Sequence, residues 1–501
     1  MKGPRWRLRC AAVAVAGCTV AATAPLGAAA AQSAAPPSAT PPGPTVKLIT
    51  AQNDITVQRY GPRVYLDPGV YVVSLGSALQ FDVRRASYTK PLTITQVIHL
   101  PNGGTATRPL PARILHGFSG LRNFLHISVA DSTGTVVASQ RDMFCPNVFD
   151  PQRATPNSPA TSPYPFGCVS DPFQLGMVWG IQKGWGADPV EFSGSSYRLK
   201  LGTYQVTAQI TNKYRKLLNI SAANATAHVT VTVVKGTQCC SARQSRHHRQ
   251  GSPLPRLPHV ATLNNPPSAA LPDLVPLPSW GIQTFHLRAT KTQRATDELT
   301  FGATVWIGGT SQLDVQGFRS NGSPIMKAYQ YFWRNGHVIG RARAGTMGFE
   351  AGGGHNHWHF KQFAMYQLLN SAKTVAVKSH KQGFCIAPSD AVNLLLPGAV
   401  WQPPFTGFFG GACGSPTALS VREDLPVGWG DTYFQFLAGQ AFSINNVPNG
   451  TYYIEVIANP EKVLHESNYG NDISLRKVIL GGTKGHRTVR VPAFHGIDPE
   501  H

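Results

Sequence analysis

Three histidines at alternate positions, His355, His357 and His359, follow a run of glycines at 352–354. On a helix, steps of about 100° would set His357 opposite the other two; on a strand, alternate residues share one face at ~3.3 Å per residue. The spacing therefore predicts a strand with three imidazoles on one face and Asn356, Trp358 and Phe360 on the other. Imidazole ligates copper and zinc alike. Three His with an open fourth position is a catalytic rather than a closed structural arrangement. A histidine-rich surface loop is the plain alternative. The glycines, which admit close backbone approach, and the large apolar residues between the histidines favour a buried strand. The motif points to a metal without choosing which one.

A second cluster, Glu466, Asn468, Asn471 and Asp472, offers several side-chain oxygens within seven residues. Oxygen donors suit a hard cation such as Ca²⁺, and a polar turn between strands is the alternative. His247 and His248 lie in a basic run and read as solvated.

The elements that must position these groups read as mostly β. Gly (49) and Pro (40) are abundant while charged residues are only 14%, which suits short strands and many turns and excludes a coiled coil or a disordered chain. Residues 1–31 carry a basic start, an Ala-rich apolar stretch and small residues before Gln32, the pattern of a secretory signal. Val15-Ala16-Gly17-Cys18 also matches a lipobox, so free secretion and lipid anchoring through Cys18 both stand. No later stretch reaches the ~18 apolar residues of a membrane span.

A Pro/Ala linker is expected over 32–44, then a β-rich accessory domain of sandwich type over 45–236. A basic, Pro-rich linker follows over 237–270, a second β-rich domain over 271–480 and a tail over 481–501. A helix is suggested only around 361–370. Cys145 and Cys168 sit in loop-like surroundings of one exported domain and are expected to pair. Cys239 and Cys240 are adjacent, and the sequence does not choose their fate.

The net charge of +21 is uneven: 271–480 holds 16 Lys+Arg against 13 Asp+Glu, a net of +3, leaving +18 elsewhere. The basic remainder suits acidic extracellular polymers; no nucleic-acid motif accompanies it.

Over 271–480, about two fifths of the chain, the sequence resembles the lysyl oxidase family, copper-dependent amine oxidases with a lysine tyrosylquinone cofactor. Leu271-Pro272-Asp273-Leu274-Val275-Pro276 looks like the start of that family's catalytic domain. His355, His357 and His359 match its copper motif, followed by Phe363, Tyr366, Leu368 and Leu369. His380-Lys381-Gln382-Gly383-Phe384-Cys385 resembles the segment carrying the lysine precursor of the quinone, and Asp431-Thr432-Tyr433 the segment carrying the tyrosine. Val447, Gly450, Tyr452, Asn459-Pro460 and the stretch from Glu466 to Asp472 continue in order.

The resemblance implies a β-sandwich-like catalytic domain with long loops. It implies Cu²⁺ at the three histidines and a quinone cross-link between Lys381 and Tyr433, which must meet across 52 positions. It also implies Ca²⁺ held by Asp273, the Leu274 carbonyl, Glu466, Asn468, Asn471 and Asp472. The implied reaction converts a primary amine and O2 to an aldehyde, ammonia and hydrogen peroxide. Asp431 is a candidate base because it is a carboxylate near Tyr433.

The sequence departs from the family in its cysteines: only Cys385 and Cys413 remain in this region, and they are expected to pair. A glycine stands where the family has a cysteine before the histidines, and the N-terminal region is not of the scavenger-receptor type. The substrate stays open among peptidyl lysine, a free polyamine and another primary amine. A non-enzymatic copper-binding or adhesive protein is the main alternative. A zinc hydrolase on the same histidines lacks a helix of the HExxH kind to supply its base.

Overall fold

The computed structural model describes residues 43–168, 171–191, 196–236, 254–291, 294–320, 322–352, 355–379, 381, 383–403 and 413–500, with backbone alone at Gly352 and His355. The signal and lipobox, Cys239, Cys240, His247 and His248 lie outside the described residues, as do His380 and Gln382.

Strands dominate, as the composition and the phrases of alternating residues suggest. In the first half, Gly202–Ile210 buries Tyr204, Val206, Ala208 and Ile210, a period-two pattern that fixes one face inward. It lies between Thr226–Lys235 and Leu121–Ala130 in a five-stranded sheet closed by Asp54–Arg59 and Val136–Phe144. Two four-stranded sheets and a two-stranded one, Val64–Tyr65 with Ser196–Tyr197, complete this half. One four-stranded sheet runs Thr45–Thr50, Val70–Leu75, Trp185–Ala187, Gln152–Arg153; the other runs Gly176–Ile181, Leu79–Arg84, Thr93–His99, Thr105–Leu110. Cys145 and Cys168 form a disulfide.

Three sheets build the second half. The strand His355–Phe360 is the edge of the first, beside His337–Gly352, Ile325–Arg334, Leu313–Phe318 and Ser420–Leu425. The second is centred on Thr296–Ile307, which pairs with Leu274–Pro276 and with Trp429–Tyr433; the latter in turn pairs with Asp390–Ala391. The third runs Val375–Lys378, Ala364–Leu369, Gly450–Ala458, Ile473–Thr483, His486–Arg490.

The helix suggested around 361–370 is a strand, Ala364–Leu369. Ala364, Tyr366 and Leu368 are all buried on one face against Gly450–Ala458, and that two-residue period outweighs the helical propensity of the segment. The segment beyond 481 is not loose: Ile473–Thr483 and His486–Arg490 form a hairpin whose registered pairs include Leu480 and Val489. A seven-residue helix, Asn212–Leu218, was not anticipated.

The described residues of the two halves form one compact unit. A continuous apolar core holds residues of both, from Val46 to Val491. Among the described residues, no helix is long and apolar enough to cross a membrane.

Candidate functional site

The strand His355–Phe360 pairs in register with the end of His337–Gly352, placing Glu350 opposite His357 and Gly348 opposite His359. Trp358 and Phe360 are fully buried, and their apolar side chains anchor the strand. His357 and His359 present their rings to one another edge to face, with centroids 4.6 Å apart. His359 is fully buried, and its Nδ1 lies 2.8 Å from Glu350 Oε2. A carboxylate beside Nδ1 favours the proton on that nitrogen and leaves the Nε2 lone pair to ligate, the usual arrangement behind a metal-bound imidazole. The side chain of His355 lies outside the described residues.

The segment carrying Lys381 is held against this strand at several points. Phe360 and Phe384 exchange backbone hydrogen bonds of 2.8 and 3.0 Å. Cys385 is disulfide-bonded to Cys413, whose carbonyl accepts from the Trp358 N–H at 2.8 Å. Gly383 leaves no room for a side chain, since a Cβ there would sit 2.7 Å from the His359 Cβ. Lys381 N–H donates to Ser379 Oγ at 3.1 Å, and that hydroxyl donates to the Gly439 carbonyl.

These ties bring Lys381 to Tyr433. The Lys381 Nζ is 4.2 Å from the centroid of the Tyr433 ring and 5.4 Å from that of Phe384. Phe384 stands edge-on to Tyr433, with centroids 5.2 Å apart. The Tyr433 hydroxyl accepts a 2.7 Å hydrogen bond from the Cys385 N–H.

Burial brings the Lys381 amine down to about 8, opposed by the charges of Glu350 and Asp431. Burial also raises the Tyr433 phenol well above its ordinary value, with Asp431 adding to the effect. Asp431 is buried and likewise raised by burial, against the pull of Lys381, and its Oδ2 has no hydrogen-bond partner among the described residues. Glu423, also buried and raised, accepts from the Ile386 N–H at 3.0 Å. Lysine and carboxylate are thus both pushed toward their neutral forms, as a low-dielectric pocket requires.

The oxygen-rich cluster lies elsewhere on the chain. Glu466 Oε2 accepts from the Leu274 N–H at 2.9 Å, and Asn471 Nδ2 donates to both carboxylate oxygens of Asp273, at 3.1 and 3.2 Å. Asn471 Oδ1 and Asp472 Oδ1 are buried acceptors with no donor among the described residues. Glu466 is raised to about 8, chiefly by burial, with Asp472 and Asp273 adding to it. Asn468 is not drawn into this group: it is exposed, and its Oδ1 accepts from the Gly470 N–H at 3.0 Å. Among the described residues, no three His, Cys, Asp or Glu side chains converge closely enough to hold a metal ion by themselves.

Glu350, Gly383, Phe384 and Glu423 were missed as functional neighbours. The run of glycines before His355 was the available signal for Glu350, because a hairpin there returns the preceding strand alongside the histidines.

No protein-family model matches the chain. Over 120 residues it is 28% identical to lysyl oxidase homolog 2 of Gallus gallus and of Homo sapiens, and 29% identical to that of Xenopus tropicalis. Each match covers 24% of this chain but only 13% or 14% of the relative's length. A solved tetra-tandem repeat from the extending region of a large adhesion protein aligns over 88% of this chain and 93% of its own at 10% identity. Its TM-score of 0.11 carries no argument. Over about a quarter of its length the chain is thus similar to lysyl oxidase homologs, of which it spans about an eighth.

Proposed function

We propose that this protein is an exported, copper-dependent amine oxidase of the lysyl oxidase type, and that Lys381 and Tyr433 are the precursors of its quinone. The observation that carries the reading is the Lys381 Nζ lying 4.2 Å from the Tyr433 ring centroid, on a segment tied to the strand of His357 and His359. Two disulfides accord with an oxidising compartment.

His355, His357 and His359 would hold copper. The His359–Glu350 contact is the feature of the donor set that fits, since a carboxylate on Nδ1 makes the other ring nitrogen a better ligand. Copper, dioxygen and the mature quinone supply the oxidation of the tyrosine ring and the carbonyl that receives a substrate amine.

The chain's own residues supply placement and protons. Lys381, brought to about 8 by burial, is neutral in roughly a tenth of molecules at pH 7, and only the neutral amine has a lone pair to add to an oxidised ring. The Cys385 N–H fixes the Tyr433 oxygen. Phe384 walls the ring on one edge and keeps water off it. Asp431, whose buried Oδ2 meets no partner among the described residues, would be the candidate to take a proton from a primary amine, peptidyl lysine or a smaller one. Asn471 and Asp472, each with an unmet oxygen, would hold Ca²⁺ together with the carboxylates of Asp273 and Glu466. The basic charge outside 271–480 suits retention on acidic extracellular polymers.

Copper-loaded protein aged in air should take up phenylhydrazine on a cross-linked peptide containing Lys381 and Tyr433. It should release peroxide with a primary amine, and Lys381→Ala should lose both. Amine-dependent peroxide from Lys381→Ala would overturn the cofactor assignment. Copper bound without any adduct in the parent protein would favour the copper-binding alternative.

A further inference from the structure

The strand of the histidines and the strand Ser420–Leu425 are the two edges of one five-stranded sheet, yet a single short stretch of chain touches both. Phe384 exchanges backbone hydrogen bonds with Phe360 beyond the first edge. Two residues on, the Ile386 N–H donates at 3.0 Å to Glu423 Oε2 on the second. Were the sheet flat, Phe384 would stand five strand spacings from Glu423, about 24 Å at ~4.8 Å each. Two residues of extended chain reach only ~7 Å, and the Glu423 side chain with its hydrogen bond about 8 Å more. The sheet must therefore be rolled until its edges approach, with 384–386 laid along the seam. A second contact agrees. Gly414 follows Cys413, whose carbonyl accepts from the Trp358 N–H at the first edge, and a Cβ on Gly414 would stand 2.6 Å from Val421 Cγ2 at the other.

Between the two ties lies the Cys385 N–H, which donates to the Tyr433 hydroxyl at 2.7 Å. Tyr433 belongs to a different sheet, the one centred on Thr296–Ile307, so this bond is where the tyrosine meets the seam. Glu423 is 1% exposed, flanked on its strand by the buried Val421 and Leu425. Its Oε1 has no hydrogen-bond partner among the described residues, and it enters no ion pair there. A carboxyl buried with one firm bond and nothing else is costly, and an apolar residue would fill the space without that cost. What the carboxyl adds is its hold on Ile386.

We infer that Glu423 is a positioning residue for the quinone site: it fastens the Ile386 end of the lysine segment to the far edge of the histidine sheet, and through that hold sets the Cys385 N–H against the Tyr433 oxygen. Phe384 ties one end of 384–386 to the histidine strand and Glu423 ties the other, so the amide between them is held in one direction. Burial raises the Glu423 carboxyl well above its ordinary value, against the pull of the Ile386 N–H and with the Asp431 charge adding to it, which favours the neutral acid. Glutamine, neutral and of equal length with an oxygen to accept from Ile386, is therefore its near match. The hold itself is geometry; its bearing on quinone formation rests on the amine-oxidase reading.

The full chain is compared as parent, Glu423→Gln, Glu423→Asp and Glu423→Leu, under conditions where urea denaturation shows each to be folded. Hydrogen exchange of the Cys385 and Ile386 amides, followed by mass spectrometry of peptides spanning 383–387, reads the hold without any chemistry. Leucine leaves the Ile386 N–H without an acceptor, and aspartate, one methylene shorter, draws the oxygen back by ~1.5 Å. Both should speed exchange at the two amides about tenfold or more, while glutamine keeps the parental rate. Copper-loaded proteins aged in air are then followed with phenylhydrazine. A shift near 1 Å at the tyrosine oxygen should slow adduct formation about a hundredfold in the leucine and aspartate variants, and glutamine should restore it. Folded variants that differed in stability alone would not separate in this way. Parental exchange at Cys385 in the leucine and aspartate variants would overturn the inference, as would a parental adduct rate in a variant whose exchange is faster. A glutamine variant that fails to fold, or matures as slowly as leucine, would overturn it too. If leucine does not fold, aspartate decides. The expected exchange pattern in a protein whose parent never forms an adduct would leave the hold on Tyr433 standing and refute the amine-oxidase reading.

Discussion

Gly383→Ala tests how the lysine segment is seated on the histidine strand. The added Cβ would meet the His359 Cβ at 2.7 Å and its Cγ at 3.3 Å, whereas carbon atoms at ease stand ~3.5–4.0 Å apart. The shortfall at the nearer atom is therefore about 0.8 Å or more. His359 is fully buried and registered against Gly348, so the strand cannot retreat freely. The segment must lift instead, and lifting strains the two backbone bonds between Phe360 and Phe384. Two such bonds at ~0.5–1.5 kcal/mol each give a loss of about 1–3 kcal/mol, the same range expected from overpacking a core. At 2 kcal/mol the unfolding constant rises about thirtyfold. Because Lys381 lies two residues away, a displacement near 1 Å also costs about a hundredfold in whatever chemistry needs its Nζ on the Tyr433 ring. Urea denaturation reads the first effect and the rate of phenylhydrazine-reactive quinone formation reads the second. An alanine variant with parental stability and a parental maturation rate would refute the seating described here.

Glu350→Gln should weaken copper binding by roughly 10–100-fold in equilibrium dialysis, because His359 would lose the carboxylate on its Nδ1; unchanged affinity would remove Glu350 from the metal centre. Quinone formation should rise about tenfold per pH unit up to pH ~8 and then level, since Lys381 must lose its proton to add to the ring; a rate independent of pH from 6 to 8 would contradict that step. Replacing Cys385 and Cys413 together by serine should destabilise the protein by ~3–4 kcal/mol for the separation of 28 residues, measured by denaturation under oxidising conditions; a loss under ~1 kcal/mol would mean the unfolded chain is not restrained by this bridge.

How far the sequence could be read follows from the range of each signal. The histidine strand was legible because alternation is local: the side chains of consecutive strand residues point to opposite faces whatever surrounds them. The same rule holds for Ala364, Tyr366 and Leu368, but Met365, Gln367 and Leu369 have helical propensity, and the two-residue burial shows only once the neighbouring strand is known. Lys381 and Tyr433 carried no local signal at all. A lone lysine and a lone tyrosine look like surface and core until a resemblance orders them, and the disulfide and the Phe360–Phe384 pairing that bring them together join distant positions.

Asp171 marks the deeper limit. In the sequence it belongs to a region without any catalytic constellation, and Thr304, whose hydroxyl donates to it, is an ordinary strand residue. Only the docking of 171–176 along 391–394 brings the two together. That docking also changes what the N-terminal half is for. A domain tethered by a linker could be removed with little effect on its neighbour, but this one supplies a buried carboxylate, a buried phenylalanine and paired backbone groups to the back of the strand that carries Asp431 and Tyr433. Cutting the chain between the halves would strip Asp171 from the Thr304 hydroxyl and the donors from the Ala391 and Val392 carbonyls, at a cost of ~1–3 kcal/mol apiece. The strand that carries Asp431 and Tyr433 is thus backed by residues of both halves.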